Sequence, residues 1–258
     1  MLHNKSIGVY VNKQYRFYSL SSFQFGKYYS FLWDLLSHQE KETPINLINE
    51  LNMFFVCSNL LDDIMDKDNE DIENIENLNK EFPVYLKRLL SSIESNSQLT
   101  IGTTEEDYFS LYVKRSVYLL QAAVPFNRHN SLDSLYVATK YLAYFGQIKN
   151  DIEDLRKPRS SDLLNKRPTL PLIKALETAI AEENDEMSTK ILSINEKNYC
   201  QNSYDNIIQF IHEKDILEGC AEIALYFFDK ARKEFIHHFP EKRECIDSFF
   251  TNLIVKGE

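Results

Sequence analysis

The sequence predicts an all-α protein, and three observations carry that prediction. Only six glycines and seven prolines occur among 258 residues, too few for a sheet protein rich in tight turns. Leu, Ile, Lys, Glu and Asn dominate the composition, which suits helices. Apolar residues recur on helical stripes between polar stretches. The chain is long enough to bury a sizeable core, and no short repeat, low-complexity tract or interdomain linker divides it. A single helical domain over residues 1–258 is therefore expected.

The elements follow in order. After an irregular start, Phe23 to Leu36 reads as an aromatic-rich helix. Thr43-Pro44 opens the next, because Pro is tolerated in a first turn. That helix passes through Ile48, Leu51, Phe54, Phe55, Ser58 and Leu61 and is apolar on most sides, as a central helix should be. Asp66 to Asn79 is polar and reads as a loop or frayed end. A helix near Pro83–Ser95 and a turn at Ile101-Gly102-Thr103 come next. Thr104-Glu105-Glu106-Asp107 makes an acidic helix start before Tyr108–Val124, matching the positive pole of the helix dipole. Leu132–Asp154 is a further helix, broken by Lys157-Pro158-Arg159-Ser160-Ser161, and Thr169-Leu170-Pro171 opens another. From Glu182 on, four amphipathic helices are expected, with Gly219 and Pro240 as punctuation in the last stretch.

The net charge of −10 argues against nucleic acid or an anionic membrane surface as main partner. Cys57, Cys200, Cys220 and Cys245 show no CxxC spacing, so they read as scattered buried thiols in a reducing compartment. The start Met-Leu-His-Asn-Lys-Ser lacks an apolar signal core, and no run reaches the ~18 apolar residues of a membrane span. No stable membrane insertion and a cytoplasmic location are expected.

Two acidic clusters carry the functional signal. Asp62-Asp63-Ile64-Met65-Asp66 and Asn150-Asp151-Ile152-Glu153-Asp154 start 88 residues apart, each at the end of an apolar run. On a helix, positions i, i+1 and i+4 project to one region, so each cluster is expected to gather its side chains near a helix end. A single acidic trio reads equally well as a solvated terminus. Two such trios at the negative pole of the helix dipole call for an offsetting cation. Oxygen-only ligands suit hard divalent ions, and Mg2+ is typically held by one or two carboxylates plus substrate phosphates.

One stripe below Asp62 carries Ser58, Phe54 or Phe55, and Leu51; below Asp151 it carries Gln147, Ala143 or Tyr144, and Lys140. Acids above apolar side chains suit an amphiphile with a diphosphate head, although taken alone the stripes read as ordinary core. Phe54 and Phe55 with Ser58 are the candidate tail pocket. Arg156, Lys157, Arg159, Lys166 and Arg167 follow the second cluster, either as a charged surface loop or as a grip on phosphate oxygens.

The first cluster matches the DDxxD motif of the trans-polyprenyl diphosphate synthases. Gln147 to Asp154 resembles their second motif, FQxxDDxxD, and Ser161 to Leu172 resembles their KDLxEGKxTLPL segment. Gly26-Lys27 is similar to the start of their GKR motif, Arg115-Ser116 falls where they have Lys-Thr, and Asp215 to Phe239 follows their C-terminal pattern. The resemblance implies the all-α isoprenoid synthase fold around a deep apolar cavity. It also implies three Mg2+ ions bound with diphosphate, with Asp62, Asp66, Asn150, Asp151 and Asp154 as the metal set. Asp62, Asp63, Asp66, Arg115, Gln147 and Asp151 are implied in catalysis, and Lys27, Arg115, Lys166 and Arg167 in diphosphate contact.

The departures from the pattern matter equally. Asn150 replaces the first acid of the second motif, Gly146 its Phe, Ser161 a Lys, and Tyr28 and Ser30 two arginines. About forty residues are missing between Asp66 and Thr104 relative to the family pattern, where the family has core helices used in dimerisation. The groups for the allylic diphosphate are thus better kept than those for isopentenyl diphosphate. Three functions follow from the resemblance. They are chain elongation, prenyl transfer to another acceptor (such as a peptide) or terpene cyclisation, and a non-catalytic subunit of a prenyl synthase. A homodimer or a heteromer fits the resemblance.

Overall fold

The computed structural model describes residues 28, 31, 32, 34, 35, 99–114, 116, 117, 120 and 132–255, together with the backbone course of the helices among them. No strand occurs among the described residues. The chain divides into two compact units. One comprises Met1–Glu94, Tyr118–Ala138 and Arg232–Glu258, and the other Ser95–Val117 and Thr139–Ala231.

The second unit holds the candidate site. Helix α1 (Glu105–Asp107) is capped by Thr104, whose hydroxyl accepts from the Asp107 amide at 3.1 Å. The acidic start expected from sequence is therefore a true N-terminus. The chain then departs from the regular helix expected over Tyr108–Val124. Tyr108–Tyr112 is a π-helical turn, closed by the Val113 amide donating to the Tyr108 carbonyl at 2.9 Å. Such turns are rare and frequently lie at functional sites. Tyr108, fully buried, is the side chain aimed here.

Helix α2 (Leu132–Leu155) contains the second acidic cluster and ends one residue beyond the expected Asp154. A short helix α3 (Ser161–Leu164) is capped by Ser160. Helix α4 (Leu170–Ala181) starts after Thr169, with Pro171 in its first turn as the sequence indicated. Leu170, Leu172, Ile173, Ala175, Leu176 and Ala179 are all buried, so α4 is the central helix of this unit. Each fully buried Leu or Ile contributes roughly 1.5–3 kcal/mol of apolar transfer.

Helices α5 (Asp185–Ser193) and α6 (Gln201–Glu213) pack against α4 and each other. Asn184 caps α5, and Asn195 forms a capping box with Asn198 on the 3-10 turn Glu196–Asn198. In α6, Tyr204, Ile207, Phe210 and Ile211 form the buried stripe. Helix α7 (Ile216–His238) follows the expected Asp215–Phe239 closely. Gly219 lies inside it and punctuates nothing, whereas Pro240 opens a separating 3-10 turn, Pro240–Lys242.

The first unit ends with helix α8 (Arg243–Val255). Tyr28, Phe31, Leu32 and Leu35 are helical and buried at i, i+3, i+4 and i+7 spacing, in keeping with the helix expected over Phe23 to Leu36. Phe31 stacks on Phe249 with centroids 4.0 Å apart and meets Phe235 edge-on at 5.1 Å. Arg232 pairs with Asp247 at 2.6 Å, fastening α7 to α8 within this unit.

Candidate functional site

The second acidic cluster sits at the C-terminal end of α2, and its three side chains part company. Asn150 is exposed, while Asp151 and Asp154 are buried. The expectation that all three meet at one open spot is thus corrected: adjacent helix positions differ by about 100° around the axis, and i and i+1 diverge when the end is packed on one side.

Asp151 has no solvent exposure and accepts three hydrogen bonds. Its Oδ2 takes the Tyr108 hydroxyl at 2.7 Å and the Leu170 amide at 3.1 Å, and its Oδ1 takes Gln147 Nε2 at 2.8 Å. The Leu170 amide is one of the orphan donors at the start of α4, so Asp151 supplies from a distance what a local cap would. Burial pushes the Asp151 carboxyl up to about 7, against the pull of these three donors. Gln147 is engaged at both ends of its amide, since its Oε1 accepts from Ser116 Oγ at 2.7 Å.

Asp154 accepts four bonds. They come from Lys157 Nζ at 2.7 Å, Ser160 Oγ at 2.5 Å, the Asp162 amide at 3.0 Å and Ser161 Oγ at 3.3 Å. Burial alone would raise its pKa, but Lys157, Ser160 and the Asp162 amide together hold it below the usual carboxylate range. Tyr204 closes the same turn by accepting from the Ser160 amide at 2.6 Å. Asp154 therefore folds the chain break between α2 and α3.

The basic cluster is largely spoken for. Lys157 holds Asp154, and Arg159 pairs with Glu196 at 2.7 Å while lying over the Tyr199 ring at 4.8 Å. Lys166 Nζ donates to the Leu192 carbonyl at 2.7 Å, and Arg167 contacts Asp162 at 3.3 Å. Arg156, exposed, has no ion pair among the described residues. The stripe below Asp151 packs as core: Tyr144 meets Phe109 and Phe227, each at 5.0 Å, with the Lys140 ammonium 5.5 Å from its ring centre. Gly146, one turn before Asn150, is exposed, and a Cβ there would meet nothing within 4 Å.

Lys27, Phe54, Phe55, Ser58, Asp62, Asp63, Asp66 and Arg115 lie outside the described residues. Tyr108, Ser116, Ser160 and the Leu170 amide are the partners that sequence reasoning missed. Ser116 stood in the Arg115-Ser116 pair, Ser160 in the Lys157–Ser161 break and Tyr108 directly after an acidic helix start, and none of those positions pointed to its partner.

No family model matches the sequence, and no curated protein sequence matches it. Solved structures do. A heptaprenyl diphosphate synthase from Staphylococcus aureus is 15% identical, covers 96% of this chain and 98% of its own, and superposes with a TM-score of 0.64. A geranylgeranyl pyrophosphate synthase is 12% identical over 98% of this chain and 99% of its own, with a TM-score of 0.60. A decaprenyl diphosphate synthase from Rhodobacter capsulatus is 14% identical over 87% and 84%, with a TM-score of 0.58. This chain has the fold of the trans-prenyl diphosphate synthases. At such low identity the shared property is the all-α prenyl synthase fold, and it runs over nearly the whole of both chains in two of the three comparisons.

Within the prenyl synthase fold, the donor set decides how a cation would be met. Among the described residues no group of three His, Cys, Asp or Glu side chains is arranged to hold a metal ion. Asp151 and Asp154, expected as ligands, have their oxygens taken by protein donors. Asn150 and Glu153 are the exposed members of the cluster, with Glu153 lying 3.7 Å from the Lys149 ammonium.

Proposed function

We propose that this chain is a Mg2+-dependent prenyltransferase of the polyprenyl diphosphate synthase type, acting on an allylic isoprenoid diphosphate. The observation that supports this reading is the joint one: an ordered set of prenyl synthase motifs, from Asp62-Asp63-Ile64-Met65-Asp66 to Thr169-Leu170-Pro171, on a chain with the prenyl synthase fold. Asp62, Asp66 and Asn150 would hold Mg2+, with Asp63 beside them. Bound there, Mg2+ supplies Lewis-acid neutralisation of the departing diphosphate.

The residues of this chain do the rest. Lys27, Arg115, Arg167 and the exposed Arg156 offer cations for the remaining phosphate charge, and Arg167 would have to release Asp162 to serve. The C1–O bond of the allylic diphosphate breaks, the electron pair leaves with diphosphate, the allylic cation is captured by the acceptor's electrons, and the resulting adduct loses a proton, which the departed diphosphate can accept. Aromatic and aliphatic side chains around the hydrocarbon tail exclude water that would otherwise quench that cation.

A second reading, prenyl transfer to an acceptor other than isopentenyl diphosphate, or cyclisation, is favoured by the loss of basic residues at Tyr28, Ser30 and Ser161. Labelled geranyl or farnesyl diphosphate with Mg2+, with and without isopentenyl diphosphate, separates the readings. Longer diphosphates are the expected product of elongation, and hydrocarbon or alcohol released without acceptor is that of cyclase-type ionisation. Asp62→Ala is expected to abolish either one. A chain that neither binds nor turns over any allylic diphosphate would sink the enzyme reading and leave the non-catalytic subunit.

A further inference from the structure

The π turn Tyr108–Tyr112 departs from regular helix, so its place depends on what holds it from outside. Its body is held by α2 and α7. The Phe109 carbonyl accepts from the Tyr144 hydroxyl at 3.3 Å, and the Phe109 ring lies 5.0 Å from Tyr144 and 5.3 Å from Phe227. Its entry is held from α4. There the Lys174 ammonium donates to Glu105 of α1 and, at 3.1 Å, to Glu177 of its own helix. We propose that Lys174 is a positioning residue, whose ion pair with Glu105 fixes where the π turn begins and so keeps Ser116 on Gln147. Its effect on turnover rests on the function proposed above, whereas its effect on the turn does not.

Helix geometry links the two ends of that statement. A π turn holds one residue more than an α turn, so it rotates the helix that follows by about 100° relative to an unbroken one. Ser116 lies on that following stretch and donates to Gln147 Oε1 at 2.7 Å. If the entry slid and the turn relaxed to α geometry, Ser116 would swing away from Gln147. Helix α1 has only three residues, far too few to hold itself. Its Thr104 cap bonds Asp107 and ties α1 only to itself. Lys174 ties it instead to the buried central helix α4.

The charges favour a standing pair. Partial burial would lower the Lys174 pKa, but Glu105 and Glu177 together raise it, so the ammonium stays charged at neutral pH. A reporter lies beside the pair. Cys220 of α7 is buried, and burial together with Asp151 pushes its thiol up to about 12, with Lys174 and Glu105 both near enough to act on it. While the turn is held, that thiol is covered and protonated, and it reacts only when the surroundings open.

The test uses the full chain and two readouts. One is a pulse of iodoacetamide at neutral pH, with alkylation at each cysteine followed by mass spectrometry. The other is steady-state turnover of farnesyl diphosphate in Mg2+. Lys174→Met and Glu105→Gln are each expected to speed alkylation of Cys220 about tenfold, while the exposed Cys200 stays within about twofold of the parent. Each should also lower kcat about tenfold with KM within about twofold, because alignment and not binding is lost. The double variant should be no worse than either single one, since both break one bond. Lys174→Arg should hold both readouts within about threefold of the parent, as a guanidinium still meets Glu105. Glu177→Gln should change neither, because Glu177 lies on α4 itself and does not reach α1.

Unchanged protection of Cys220 in both single variants would overturn the proposal. So would additive effects at Lys174 and Glu105, a Glu177→Gln variant as impaired as Glu105→Gln, or an Arg variant as impaired as Met. Faster alkylation with an unchanged kcat would reduce Lys174 to a structural contact and overturn the positioning role. If the parent turns over no allylic diphosphate, the proposed function fails, and the Cys220 rates still decide whether Lys174 holds the turn.

Discussion

At the scale of single residues, the aspartates of one motif differ because their neighbours differ. Asp154 is buried yet held ionised, since Lys157, Ser160 and the Asp162 amide more than offset its desolvation. Its folded pKa lies below the unfolded value, so its contribution to stability is present above pH ~4 and is lost as pH falls through the folded pKa. The Tm difference between the parent and Asp154→Asn should therefore shrink as pH is lowered from about 7 to about 3. Asp151 titrates in both proteins and cancels from that difference. A gap that stays constant with pH would show that Asp154 carries no charge-dependent bond. This division was not legible in the sequence. Asp151 and Asp154 are both acids three residues apart, and which of their oxygens meets a donor depends on Tyr108, Ser160 and Leu170, brought in by folding.

At the scale of elements, the chain breaks are where the sequence spoke most clearly. Thr104, Thr169 and Asn184 stand at helix starts, the residue types that satisfy or tolerate open amides. Glycine, however, was a poor guide to helix ends here. Lys166, Glu183 and Asp215 follow helices in the left-handed region, at φ 54, 54 and 51°, where glycine is the unstrained choice. At Glu183 the geometry is complete: the Asn184 amide bonds the Ala179 carbonyl at 2.9 Å and the Glu183 amide bonds the Ile180 carbonyl at 3.0 Å. Lys166 shows the same pair of bonds, its amide to the Leu163 carbonyl at 3.2 Å and the Arg167 amide to the Asp162 carbonyl at 2.9 Å. Glu183→Gly should stabilise the protein by about 0.5–1 kcal/mol, the strain relieved minus the added freedom of the unfolded chain. Chemical denaturation at neutral pH would read this as a higher midpoint with an unchanged slope, and a lower midpoint would refute the strain.

At the scale of the whole molecule, helical period and sparse glycine were enough for the fold class, because the longer described helices bury apolar stripes. The π turn at Tyr108–Tyr112 escaped notice, since one extra residue per turn leaves no mark on composition and exists here to seat Tyr108 against Asp151. The proposed ligand makes a prediction that involves all of the chain. Diphosphate that binds only the folded protein adds RT ln(1 + [L]/Kd), about 2.7 kcal/mol at a hundredfold excess over Kd, which raises Tm by about 5–10 °C for a chain of this size. With Asp151 and Asp154 both engaged by protein donors, Mg2+ alone should give little of that rise and diphosphate alone little more. The two together should give all of it, and a chelator should take it away. Asp62→Ala should remove the joint effect while leaving the ligand-free Tm close to the parent, because a carboxylate kept for cation binding stabilises the empty protein little. A full shift with diphosphate in the presence of chelator would mean that Arg and Lys side chains grip the phosphates without a metal, and the metal-dependent reading would fall.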